Sequence, residues 1–173
     1  MDTWAPHRGI TTVKHVFDHI LPWLKRGDGV TISGGEPFDQ PQALAKLLSH
    51  IRGVHSGDIL VYSGHSLEVL SQTLQAFEGL IDLLIADPLQ LEAPQTLALR
   101  GSDNQRLIPL TPLGRDRLPL YNRCDRILDI MFDDVAGEVW FAGIPRRGDF
   151  RRLASLLGES GHEVITTEDT RAQ

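Results

Sequence analysis

The residues with the clearest chemical potential are Ser33-Gly34-Gly35-Glu36-Pro37, which stand where the β-branched run Gly29-Val30-Thr31-Ile32 stops. Two adjacent glycines let the chain turn tightly and bring peptide groups against a ligand. Glu36 supplies a fixed acceptor for a cationic group such as an α-ammonium, and Pro37 presets the turn. Taken alone, the same five residues also describe a plain strand-to-helix turn with an exposed glutamate. Two more polar turns follow apolar runs: Ser63-Gly64-His65 after Asp58-Ile59-Leu60-Val61-Tyr62, and Asp87-Pro88 after residues 82–86. In parallel α/β sheets ligands sit at the carboxyl ends of strands, so the three turns define one candidate site.

Other residue groups point less far. His15 and His19, four apart on a helix, could face one metal, but no third ligand is apparent and a solvated pair is the expectation. Cys124 lies beside Arg123 and Arg126, which would lower its pKa; with no second thiol or identified base it reads as an ordinary semi-buried cysteine. The segment from Arg100 through Asn104, Gln105 and Arg106 is either a polar clamp for a carboxylate or partner surface, or a solvated loop. Arg146-Arg147 with Arg151-Arg152 reads as a solvated basic face, with docking to an acidic partner as the alternative. Trp4, Trp23 and Trp140 read as core or interface residues.

Composition sets outer limits. The net charge of −6 and pI near 5.6 argue against a broad nucleic-acid surface. A single cysteine allows no internal disulfide, no cubane cluster and no structural zinc site. No apolar run approaches the ~20 residues that span a bilayer, and there is no secretory signal pattern, so the expectation is a cytoplasmic protein with no membrane association. At 41% hydrophobic residues and a mean hydropathy of −0.14, the chain can bury a sizeable core.

The elements that would position the three turns alternate. Apolar residues recur at helical spacing over 12–25, with Thr11 or Thr12 as cap, Gly27 as stop and Pro22 late in the run. A second helix is predicted from Gln40 or Pro41 to Arg52, capped by Asp39, and a third after Ser66, reaching Phe77. Buried strands are predicted at 29–33, 58–62 and 82–86, which favours a parallel sheet of βαβ units. Residues 89–122 are expected to be irregular. Strands at 127–132 and 138–144, a helix at 149–158, a short strand at Val164-Ile165 and a disordered tail at 168–173 complete the pattern. This gives three units: 1–122, 123–167 and the tail.

The stretch Gly29-Val30-Thr31-Ile32-Ser33-Gly34-Gly35-Glu36-Pro37-Phe38-Asp39-Gln40 closely resembles radical-SAM proteins that activate anaerobic ribonucleotide reductase and other glycyl-radical enzymes. The resemblance continues at residues 58–65, 81–88 and 100–106, in order. It implies an α/β fold, a partial radical-SAM-type (TIM-barrel-like) barrel with a small C-terminal α+β extension. Gly34, Gly35 and Glu36 would then hold the methionyl end of S-adenosylmethionine, with Ser33 and Pro37 beside them in the cofactor site and Ser63 and Asp87 lining the next strand ends. Pro88 stands where the family has glycine, which weakens the implication for Asp87.

The family's Cys-x3-Cys-x2-Cys loop is followed closely by Asn-Pro-x-Thr-Trp; Asp2-Thr3-Trp4 resembles the end of that stretch, with Met1 about where its proline would stand. The expectation is therefore a chain that starts past the last cluster cysteine and lacks the family's first strand. Without a 4Fe-4S cluster it is inactive as written. With one, it would generate a radical on a glycyl-radical-type protein partner or a small-molecule substrate. The alternative is a cluster-free relative serving as a binding or regulatory module. An uncovered edge strand further predicts homodimerisation.

Overall fold

The computed structural model describes residues 10–122, 128–133, 138–143 and 148–161. Helix α1 spans Val13–Leu24; Thr12 caps it, its hydroxyl accepting from the amide of His15 at 3.1 Å. Strand β1 (Gly29–Ile32) leads through a 3-10 turn, Pro37–Asp39, into helix α2 (Pro41–Arg52), whose Leu44, Leu48 and Ile51 are buried. Strand β2 is Asp58–Tyr62, helix α3 the single turn Leu67–Leu70, and strand β3 Leu83–Ala86. Ser66 caps α3 as expected, but the chain continues to Phe77 as a 3-10 segment and not as one long helix.

Strands β1, β2 and β3 are parallel neighbours, with Gly29 opposite Asp58 and Leu60 opposite Leu83. β3, and β2 beyond Asp58, form continuous apolar or aromatic runs, as suits strands covered on both sheet faces. On one face Ile59, Val61, Leu84 and Ala86 pack with Leu24, Leu44, Leu48, Ile51, Leu70 and Phe77. On the other, Leu60, Leu83 and Ile85 pack with Tyr62, Leu99, Leu107, Leu118 and Tyr121. β1 is different: Val30 and Ile32 face the first cluster, while Thr31 on the opposite face is exposed. The second face is thus open over β1.

Residues 89–122, read from sequence as irregular, contain strand β4 (Arg106–Pro109) and helix α4 (Pro112–Tyr121). β4 runs antiparallel to β3, Ala86 opposite Arg106 and Leu83 opposite Pro109. The α/β class is as expected, and an unclosed sheet fits a partial, open α/β fold. The sheet is open, in the order β1-β2-β3-β4. Over β2 and β3 its second face is covered by α4 and the 87–105 connection. Gly114 lets α4 come directly against the Asp82 carbonyl, and the Tyr121 phenol donates to Asp58 Oδ2 at 2.8 Å.

Strands β5 (Leu128–Asp133) and β6 (Glu138–Gly143) form a separate antiparallel hairpin, and helix α5 spans Asp149–Glu159. These match the expected C-terminal elements. Trp4, Arg123, Cys124, Arg126, Arg146, Arg147, the 164–165 strand and the tail lie outside the described residues, and no helix is long and apolar enough to cross a membrane among those described.

Candidate functional site

Gly34 and Gly35 take left-handed conformations, φ +91° and +52°, which ordinary side chains adopt only under strain. A Cβ built on either meets no heavy atom within 4 Å. Space alone does not select glycine here; the backbone turn does, and it leaves its peptide groups uncovered at the end of β1. The turn is pinned from below. Phe38 is buried, with its ring edge-on to Phe77 at 5.3 Å.

The carboxylate of Glu36 closes the turn against β2. Its Oε1 accepts from the Phe38 amide at 3.0 Å and from the Ser63 hydroxyl at 2.9 Å, and its Oε2 accepts from the Gly64 amide at 2.7 Å. A carboxylate offers about four acceptor positions. Three are filled by the protein, so Glu36 retains one position and its charge for an external cation. Ser63, which is buried, links the chain further: its hydroxyl also accepts from the His65 amide, and its own amide donates to the Ile85 carbonyl. The expected residues Ser33, Gly34, Gly35, Glu36, Pro37 and Ser63 therefore gather at the ends of β1 and β2.

Asp87 is also at a strand end, in a left-handed conformation at φ 86°. Its carboxylate is engaged within the protein. Arg106 binds it through Nε at 2.6 Å and Nη2 at 2.7 Å, and the same guanidinium grips the carboxylate of Glu68 at 2.7 and 2.9 Å. Bidentate geometry of this kind is the strong form of the ion pair. Arg106 chiefly, and then backbone amides, hold the Glu68 carboxyl down at about 2; Arg106 chiefly also lowers Asp87, against the opposing effect of burial.

Both carboxyls are depressed by folding, so the stabilisation is present above their ordinary values and is lost as pH falls from about 4.5 towards 2. Arg106→Met should lower the urea midpoint at neutral pH, and that difference from the parent should vanish near pH 2. A difference independent of pH would show that Arg106 acts through packing alone.

The other members of the 100–106 segment also face inward. Arg100 is buried and donates from Nη2 to Asn122 Oδ1 at 3.0 Å; burial lowers its pKa. The neighbouring Tyr62 phenol donates to the Leu99 carbonyl and is pushed by burial up to about 12. Asn104 donates to the Pro88 carbonyl, and Gln105 joins the Asp87 carbonyl to the Gly101 amide. These side chains organise the 87–105 connection. Trp23 is 68% exposed and so lies outside the core, while His15 and His19 are exposed on α1.

Asp39 and His65 form a further side-chain pair at these strand ends. Asp39, expected to cap α2, is not the capping residue; Gln40 holds that position without a side-chain bond. The Asp39 carboxylate instead meets His65 Nε2 at 3.2 Å. The sequence signal was the place of His65 within the second strand-end turn, Ser63-Gly64-His65.

Residues 1–108 match the family model described as a 4Fe-4S single cluster domain. The chain belongs to this family. Pyruvate formate-lyase-activating enzymes of Staphylococcus aureus, in strains USA300 and N315, are 28% identical over 117 residues, covering 62% of this chain and 46% of theirs. The chain spans about half the length of the curated relatives it matches. No solved structure gives a significant match.

An open double-glycine turn beside a carboxylate with one free acceptor position suits a ligand that carries a cationic hydrogen-bond donor. A four-iron cluster does not fit these 173 residues: Cys124 is the only thiol, and no group of three metal-binding side chains occurs among the described residues.

Proposed function

We propose that the chain is the S-adenosylmethionine-holding part of an activase-like protein that acts on a protein partner of the glycyl-radical type. One observation carries this reading. The Gly34-Gly35 turn is held open at the end of β1 by a glutamate locked onto the end of β2. The turn's backbone and Glu36 take the ligand's ammonium, Ser33 and Pro37 flank the turn, and Ser63 fixes the carboxylate that would otherwise swing into solvent. Asp87 acts at one remove, its ion pair with Arg106 holding the end of β3.

When bound, S-adenosylmethionine supplies an activated sulfonium whose carbon–sulfur bonds are the reactive ones. This chain's own residues bind and orient it. A cluster taking part in the reaction would draw its thiolates from outside these 173 residues. The single cysteine favours a second reading, a binding or regulatory module without radical chemistry.

Isothermal titration of the full chain with S-adenosylmethionine should give saturable one-to-one binding. Glu36→Ala should weaken it about tenfold or more, the worth of a charged hydrogen bond. Absence of saturable binding to the parent chain would overturn the proposal.

A further inference from the structure

His65 and Asp39 form a pair that the double-glycine site does not account for. His65 follows the Ser63-Gly64 turn at the end of β2, and Asp39 ends the 3-10 turn that follows Gly34-Gly35-Glu36. The backbone of His65 is fixed on both sides: its amide donates to Ser63 Oγ at 3.1 Å and its carbonyl accepts from the Asp87 amide at 2.9 Å. The ring is 41% exposed. With a carboxylate oxygen at 3.2 Å from Nε2, the neutral imidazole carries its proton on Nε2 and donates it to Asp39. Nδ1 is then an acceptor with no partner among the described residues. A carboxylate that fixes the tautomer and plane of a histidine is a recurrent way of presenting the opposite nitrogen to a ligand.

We propose that His65 Nδ1 accepts a hydrogen bond from a ribose hydroxyl of the bound nucleoside, with Asp39 as the positioning residue. The inference rests on the reading of the glycine turn as the methionyl site. S-adenosylmethionine has three kinds of hydrogen-bond donor: the ammonium, the ribose hydroxyls and the adenine amino group. The ammonium belongs to the turn and Glu36. β2 is the strand next to β1, about 4.8 Å away, and along the molecule the ribose is reached before the adenine amino group. The open second face over Thr31 leaves this route uncovered.

The test is titration of the full chain with S-adenosylhomocysteine and with its 2′-deoxy and 3′-deoxy counterparts. The parent chain should bind one deoxy compound about three- to tenfold more weakly than S-adenosylhomocysteine itself, the range of one neutral hydrogen bond. His65→Phe should lose a similar factor for S-adenosylhomocysteine and no longer discriminate. Asp39→Ala should reduce the discrimination and Asp39→Asn, which can still accept from Nε2, should restore it. Melting temperature reports whether the variants fold alike.

A parent chain that binds neither S-adenosylmethionine nor S-adenosylhomocysteine overturns the site reading and this inference together. A parent chain that binds both deoxy compounds as well as the parent ligand overturns this inference alone. So does a His65→Phe chain that still discriminates.

Discussion

Asp82→Ala is expected to destabilise the protein by about 3–5 kcal/mol, the cost of removing one partner from a buried ion pair. Typical domains hold about 5–15 kcal/mol in total, so this is a large share. Asp82 lies just before β3 and is almost fully buried. Its Oδ2 accepts from the Ile59 amide at 2.8 Å and from the Arg52 guanidinium, and its Oδ1 accepts from the Thr111 hydroxyl at 2.5 Å. Its main chain is bound as well, to the Ile59 carbonyl and the Leu110 amide. One side chain thus ties α2, β2 and the start of α4 together at the end of the sheet opposite the candidate site.

Alanine would leave a buried amide, a hydroxyl and the charge of Arg52 without their acceptor. The double replacement Arg52→Met with Asp82→Leu should recover part of the loss, because it removes both desolvated charges. Urea unfolding measures both. A loss below about 1 kcal/mol for Asp82→Ala would mean that water reaches this node.

Gly114→Ala should also destabilise, against the direction that helix propensity predicts. Alanine is favoured over glycine by about 1 kcal/mol inside a helix. At Gly114, however, a Cβ would run into the Asp82 carbonyl, with the carbonyl carbon only 2.8 Å away. Helix α4 would have to move off the sheet, loosening the Thr111–Asp82 and Tyr121–Asp58 bonds that hold it. Overpacking of this kind costs about 1–3 kcal/mol, so a lower melting temperature is expected. A raised one would show that α4 does not sit tightly against β3.

Both predictions concern contacts the sequence does not display. Local signals did locate most elements: the 3.6-residue apolar spacing of α1 and α2, the Thr12 and Ser66 caps, and the uninterrupted apolar runs of β2 and β3. These are legible because each follows from residues within a few positions of one another. The double glycine before Glu36 was legible for the same reason, since a left-handed turn makes its demand on the residues that form it.

β4 was hidden because its four residues become a strand only by pairing with β3, and an antiparallel return through the 87–105 connection carries no local periodicity. The same holds for the charged residues. The sequence places Asp39, Asp82, Asp87, Arg100 and Arg106 in positions that suit caps, ligands or a clamp. What each carboxylate or guanidinium binds is set by partners 19 to 38 residues away, as in Arg106 with Asp87 and Glu68. By itself, the sequence determined the parallel core, the turns at its strand ends and the family. Only the tertiary structure decided that the sheet stays open under α4, that Glu36 is locked by Ser63 and Gly64, and that Asp39 turns to His65. Those outcomes depend on which distant polar groups meet once the apolar faces are buried; where such a group is itself buried, as Ser63 is, it must find a partner.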